Sequence, residues 1–317
     1  MQSDSAKELL QGSSKRQKIK IESEYLKTVG LLHAWAILLI PFLGLVVAIT
    51  QLWFFGIGTM EVGLLVGMYA LIYVGITVGF HRQFSHCSFR TNTAVRVILA
   101  ILGSMAAQGS VIYWVANHRR HHQYSDLPGD PHSPHLHGDG LSGHFQGLWH
   151  AQIGWMFAHE FTNPLLFAKN LLRDPIISRI NRMYLWWIFL GLAIPAVLGG
   201  LLTWNWSGVL SGFLWGGLVR IFLAGQFTFF INSITHLYGT RPFNTREQST
   251  NNIWLAIPTC GEAWHNNHHA FPNSAKFGLQ WWQIDLGYWV IRALEVLGLA
   301  WDVNAPTARM IEAKKLV

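Results

Sequence analysis

Three strongly apolar segments of this chain contain no Asp, Glu, Lys or Arg, and no other feature narrows its fold so far. Residues 28–60 hold an apolar run at 31–53, residues 62–80 follow, and residues 183–219 are too long for one crossing. The 62–80 segment alone makes about 28 Å of helix, against a bilayer hydrocarbon core of roughly 30 Å. The polar break Thr203-Trp204-Asn205-Trp206-Ser207 divides the third segment, and paired Trp suit a water–lipid boundary. The sequence therefore predicts spanning helices near 30–53, 62–80, 184–203 and 208–231, arranged as two hairpins. Composition agrees, because charged residues make up only 12% of the chain, about half of the roughly 25% usual in globular domains.

Basic residues orient the spans. Of the 23 Lys and Arg, six precede the first span, nine lie between 82 and 182, seven follow the fourth span, and only Arg220 falls within one. The connections at 54–61 and 204–207 carry none. By the positive-inside rule both termini and the central segment face the cytoplasm, in the inner membrane if the cell is bacterial. The basic residues form no stripe with interleaved aromatics, so the charge of +7 does not argue for nucleic acid. Residues 1–28 are polar and basic without an apolar core; they read as an N-terminal arm rather than a signal peptide. Residues 92–110 read as a helix lying on or dipping into the interface. The expected organisation is an arm at 1–28, one domain at 29–305 and a tail at 306–317. Within that domain, a cytoplasmic cap is built from 81–182 and 232–305.

Of the 16 His, all but His33 lie at or beyond the end of the second span. They form His81-Arg-Gln-Phe-Ser-His86, His118-Arg-Arg-His121-His122 and His265-Asn-Asn-His268-His269, with Asn232 and His236 ending the fourth span. In an HxxHH segment the three imidazoles project from one side of a helix, which is metal-ligand spacing. Nine nitrogens suit two ions better than one four-coordinate zinc. Imidazole by itself leaves iron, copper, zinc and nickel open. Chemistry on a buried hydrocarbon tail needs an oxidant for unactivated C–H bonds, which iron with O2 supplies and zinc does not. The scattered His132, His135, His137, His144, His150 and His159 read as polar-loop residues. Cys87 and Cys260 read as small buried thiols.

With these boxes, and with the continuations 123–132 and 261–272, the sequence resembles the membrane fatty-acyl desaturases of the Δ9 type over roughly residues 30–305. The resemblance implies an all-α integral membrane protein, four spanning helices under a cytoplasmic di-iron cap. It implies that His81, His86, His118, His121, His122, His236, His265, His268 and His269 hold two iron ions, with Asn232 acting through water. It further implies O2 as co-substrate and a fatty-acyl chain carried on acyl carrier protein, coenzyme A or lipid. Two electrons would come from a separate ferredoxin, or from cytochrome b5 with its reductase, acidic partners for a basic face. Ala116 and Asn117 replace the Arg-Asp pair of the acyl-CoA enzymes, which weakens the case for coenzyme A. Gln152 stands where relatives commonly have His. Metal-bound imidazoles usually donate their second N–H to a carboxylate, so Asp126, Asp130 and Glu262 are expected to orient them. Trp114 is expected to wall a substrate channel. Arg220 is expected at its entrance, or else paired with backbone carbonyls. Arg119 and Arg120 are expected to face solvent, or else to contact a substrate headgroup. The same site on an acyl chain also suits an acetylenase or a hydroxylase. A histidine-rich metal transporter or sensor is the alternative from another class, and it lacks the charged pathway through the spans that transport requires.

Overall fold

The structure is a computed structural model that describes residues 19–158 and 160–316; most of the expected arm, with Lys7, Lys15, Arg16 and Lys18, and His159 lie outside the described residues. Among them, four helices are long and apolar enough to cross a membrane: α1 (Glu24–Phe55), α2 (Thr59–Ser85), α7 (Tyr184–Thr203) and α8 (Trp206–His236). Between the pairs lie α3 (Thr93–Ser104), α4 (Val111–Tyr124), α5 (Gly140–Gln152) and α6 (Pro175–Arg182), and beyond α8 lie α9 (His265–Ala270), α10 (Leu286–Val296) and α11 (Ala308–Lys314). Among the described residues, strands are limited to two short antiparallel pairs. One joins Lys20 to Thr162 and Ile21 to Phe161; the other joins Arg90 to Trp301 and Thr91 to Ala300.

The four long helices divide by burial. In α1 and α7 only 22% of the most apolar window is buried, against 50% in α2 and 56% in α8. Leu32, Trp35, Leu39 and Phe42 of α1, with Leu185, Phe189 and Leu201 of α7, are accordingly exposed. A helix apolar all round with an exposed face is what lipid requires. The chain is thus a largely helical membrane protein. Small residues let the helices approach closely. A Cβ on Gly212 would stand 2.1 Å from the Pro195 carbonyl oxygen, and one on Gly75 would stand 2.1 Å from the Gly103 backbone nitrogen.

Helix boundaries depart from the sequence expectation at the ends that carry chemistry. α2 does not stop at residue 80; it continues as a π-helix over Gly75–Ser85. His81 is therefore part of the helix rather than of the segment after it. α8 contains a second π-helical stretch at Phe213–Val219 and runs on to His236. Such wider turns are rare and concentrate at functional sites. α1 begins at Glu24, capped by the Ser23 side chain, inside the stretch assigned to the arm. α3 ends at Ser104, short of the expected 110, because Ala107 and Gly109 adopt φ of +61° and +102°.

Candidate metal centre

Helical geometry decides how the histidine boxes are shared. At 3.6 residues per turn, i and i+4 lie about 40° apart around the axis, while i+3 lies about 60° to the other side. His118 and His122 of α4 accordingly gather with His81, His86 and His268, while His121 turns to His236, His265 and His269. α9 mirrors this arrangement: His265 and His269 stay together and His268 crosses to the other group. All nine expected histidines thus fall into a group of five and a group of four, each with its nearest donor atoms within 4.8 Å of one another.

Within each group the Nε2 atoms face one another. The separations are 2.7 Å for His86–His118, 2.8 Å for His122–His268, 3.0 Å for His81–His268, and 3.1 Å for His236–His265 and His265–His269. Two nitrogens about 2.1 Å from one ion at a right angle lie about 3 Å apart. Carboxylates fix the tautomer behind several of them. Nδ1 of His121 donates to Asp130 at 3.0 Å, that of His236 to Asp126 at 2.9 Å, and that of His81 to Glu262. In those three residues Nε2 is then the unprotonated nitrogen, with its lone pair free for a cation. The donor set therefore fits transition-metal ions.

Electrostatics keeps these groups ready. Burial, followed by the neighbouring imidazoles, holds His86, His118, His122, His265, His268 and His269 well below the usual histidine range. Burial alone would raise Asp126, Asp130 and Glu262. The adjacent imidazoles, together with Arg82 in the case of Glu262, outweigh it and hold all three below the usual carboxylate range. Six imidazoles are thus kept neutral, and three carboxylates stay ionised behind His81, His121 and His236.

Several contributors were invisible in the sequence. Glu247 lies 3.6 Å from His269 Nδ1 and is buried. Arg82, fully buried, donates to Glu262 at 2.6 Å and to Asp285 at 2.9 Å, and its guanidinium lies 3.8 Å from the Phe277 ring centroid. Only the adjacency of Arg82 to His81 could have drawn attention to it; nothing in the spacing of Glu247 or Asp285 does. His132, read as a loop residue, is buried with its ring 4.5 Å from that of His121, and burial pushes it down to about 3. His135 donates to the His236 carbonyl at 2.7 Å. His33 bonds the Tyr184 hydroxyl, far along the chain from either group.

Four other expectations change. Arg120 does not face solvent: it is 1% exposed and donates to the Gly129 carbonyl and to Glu160, at 2.7 Å each. Arg119 is half-buried and donates to the carbonyls of Phe84, Ser85 and Phe167. Arg220 lines no entrance. It is fully buried and donates to the carbonyls of Gly216, Met105 and Gly191 at 3.0, 2.8 and 2.6 Å, the carbonyl-pairing alternative. Cys87 is exposed, not buried, while burial pushes the Cys260 thiol up to about 12; neither joins the histidine groups.

Two openings reach the histidines. A small cavity of about 50 Å³ touches His118, Trp114 and Asn232, and shares Gln108, Tyr113, Trp155 and Phe229 with a mainly apolar cleft of about 520 Å³. That cleft runs along α1 from Lys27 to Ile37. A second cleft of about 590 Å³, lined by polar and basic groups, reaches His86, His122 and His269 past Arg119, Arg246 and Lys314. Among the described residues no carboxylate lies within 4 Å of those three cations.

Comparison with known proteins adds to this geometry. Residues 61–301 match the family described as fatty acid desaturase. The chain is 55% identical over 306 residues to a hex-5-enoyl-[acyl-carrier protein] acetylenase of Moorena producens (strain JHB), covering 96% of this chain and 95% of that protein. It is 37% identical over 246 residues to an sn-1 stearoyl-lipid 9-desaturase of Anabaena variabilis, covering 75% and 84%. It is 36% identical over 245 residues to an acyl-CoA C20 Delta5-desaturase of Anemone leveillei, covering 76% and 72%.

Proposed function

The chain belongs to the fatty acid desaturase family, and from that premise we propose that it is an O2-dependent di-iron enzyme that removes hydrogen from a fatty-acyl chain. It is an oxidoreductase, and metal-dependent. The observation that carries the finer reading is the convergence of nine imidazoles into two groups, one of whose members, His118, lines a small cavity adjoining the apolar cleft.

In this reading His81, His86, His118, His122 and His268 hold one iron. His121, His236, His265 and His269 hold the other, with Asn232 contributing through water. The bound irons supply O2 activation strong enough to take two hydrogens from adjacent carbons of the chain. The remaining work belongs to the protein's own groups. Asp126, Asp130 and Glu262 hold the N–H groups of His236, His121 and His81 outward and so keep their Nε2 lone pairs pointed inward, and the Glu247 carboxylate stands 3.6 Å behind His269. Trp114, stacked on His118 with centroids 5.1 Å apart, walls the cavity and excludes water from the reacting carbons. The apolar cleft along α1 suits the hydrocarbon chain.

The basic cleft suits the electron donor. Arg119, Arg246 and Lys314 surround an opening that reaches three of the proposed ligands, and an acidic ferredoxin or cytochrome b5 would be drawn to it. With the basic residues of the sequence, this supports a cap facing the cytoplasm, both termini on that side, and the spans arranged as two hairpins. The carrier is acyl carrier protein, coenzyme A or lipid. The acetylenase from Moorena producens favours the first, and also favours a second reading in which this enzyme turns a double bond into a triple bond.

Purified enzyme with ferredoxin, its reductase, NADPH and a panel of acyl carriers tests the proposal. The expected result is two irons per chain, O2 consumption, and a product short of one H2 by mass spectrometry. Gain of one oxygen would indicate a hydroxylase. Tight zinc instead of iron, with no acyl product from any carrier, would refute the proposal.

A further inference from the structure

The loop at 131–139 lies flat on α5, and the sequence of α5 permits it. Gly143, Gly147 and His150 fall at i, i+4 and i+7, on one face of the helix. A Cβ on Gly143 would collide with the Gly138 carbonyl, and one on Gly147 with the Pro134 carbonyl. One turn further on, His150 Nε2 donates to the Pro131 carbonyl at 3.2 Å. The same loop is tied to the metal centre: Ser133 donates to Asp126 at 2.7 Å, and His135 to the His236 carbonyl. The far end of α5 is tied to α8, where Gln152 donates to Gln226 at 3.1 Å and accepts from Ser233.

At this seam two imidazoles meet that belong to neither histidine group. The rings of His137, from the loop, and His150, from α5, have centroids 4.5 Å apart, the separation also found between His118 and His122. Because a carbonyl only accepts, the bond to Pro131 fixes the His150 proton on Nε2 and leaves Nδ1 with its lone pair. A carbonyl behind one ring nitrogen is a common way of orienting a metal-binding imidazole. Nδ1 of His137 is buried, and among the described residues it has no hydrogen-bond partner. A buried polar atom left in this way calls for a water or an ion. Burial, followed by His137, holds His150 below the usual histidine range, so it is a neutral donor at neutral pH.

We infer that His137 and His150 together bind a divalent transition-metal ion, at a site separate from the nine-histidine centre. Imidazole nitrogens suit zinc, nickel and copper, and a four-coordinate ion held by two of them completes its shell with water. The ion clamps the loop at 131–139 onto α5. Its role is to brace, from outside, the Ser133 and His135 contacts that stand behind the group of four. The inference goes beyond the proposed reaction and does not depend on it.

The test uses full-length enzyme purified in detergent with its iron in place. Zinc chloride is the probe, in dialysis against micromolar free zinc, and zinc and iron per chain are read by mass spectrometry. The wild-type protein is expected to retain one zinc per chain without losing iron. Its melting temperature is expected to rise with zinc, as binding to the folded state requires. His137→Ala and His150→Ala are each expected to lose that zinc and that rise, with iron content unchanged. His144→Ala, at a nearby histidine that pairs with Tyr238 instead, is expected to keep both. Where an alanine variant fails to fold, His137→Asn and His150→Gln take its place, since each keeps a hydrogen-bonding amide and loses the imidazole. No zinc retained by the wild type overturns the inference and leaves water as the partner of His137. Zinc gained only as iron is lost overturns it too, as does zinc held at the wild-type level by folded variants of either histidine. None of these outcomes touches the desaturase reading, which stands or falls on acyl products.

Discussion

Asp130→Asn probes whether carboxylates set the imidazoles for metal. Both oxygens of Asp130 are surrounded by N–H donors: His121 Nδ1 at 3.0 and 3.1 Å, the His132 backbone N–H at 3.1 Å on one oxygen and the Asp126 backbone N–H at 2.9 Å on the other. An Asn amide must therefore place its NH2 against a backbone N–H whichever way it is flipped. The lost charge-assisted bond costs about 1.5–3 kcal/mol of folding stability. With a neutral amide oxygen in place of the carboxylate, His121 holds its Nδ1 proton less firmly, and weakening such an orienting partner typically costs about 10–100-fold in metal binding, or about 1.4–2.8 kcal/mol. Of the two groups of expected ligand histidines, His121 belongs only to the group of four. Titration of iron-loaded protein with a chelator, read by iron content and by visible absorption, should show one iron released at a correspondingly lower chelator concentration. The second iron should follow a curve close to wild type. Wild-type release of both ions would refute the reasoning, and so would equal weakening of both in a variant whose melting temperature is unchanged.

Other outcomes follow from the same geometry. Metal-free protein should lose stability as pH falls below about 6.5. His86, His118, His122, His265, His268 and His269 are held below their ordinary value, so the unfolded chain takes up protons that the folded chain refuses. Asp126, Asp130 and Glu262 add to the loss below about pH 4, where only the unfolded carboxylates are protonated. A melting temperature flat between about pH 7.5 and 5.5 contradicts this. Arg246→Glu combined with Lys314→Glu should raise KM for ferredoxin several-fold at low salt and leave KM for the acyl substrate alone. The difference should shrink above about 0.15 M salt, where the screening length is about 8 Å. Arg220→Leu should destabilise by about 1–3 kcal/mol through the orphaned carbonyls of Met105 and Gly191, with the acyl-chain profile retained. A changed profile at unchanged melting temperature would return Arg220 to the substrate path.

How much of this was legible depends on the range of the interaction. Charge-free runs are local, so all four long helices were placed from the sequence. Their functional ends were not, because the π-helical turns at Gly75–Ser85 depend on packing against α3, where Gly75 meets Gly103. The nine histidines were found by spacing and resemblance. Their division into five and four was not, since it requires knowing how α4 and α9 face one another. Asp126, Asp130 and Glu262 were accessible because they lie close to the boxes in the chain. Glu247 meets His269 across a loop. Arg120 looked like a surface residue because nothing in the sequence ties it to its acceptors, Gly129 nine residues away and Glu160 40 residues away.

The crossing of one imidazole from each short helix fixes more than ligand identity. α4 sends His118 and His122 one way and His121 the other, and α9 repeats the pattern in reverse. The gap between the two centres is thus measured by a single helical turn, twice over, from opposite sides. Covalent rulers of this kind do not stretch when a bilayer thins or a loop breathes. Because α2 supplies His81 to one group and α8 supplies His236 to the other, the same spacing ties together the ends of those two long helices.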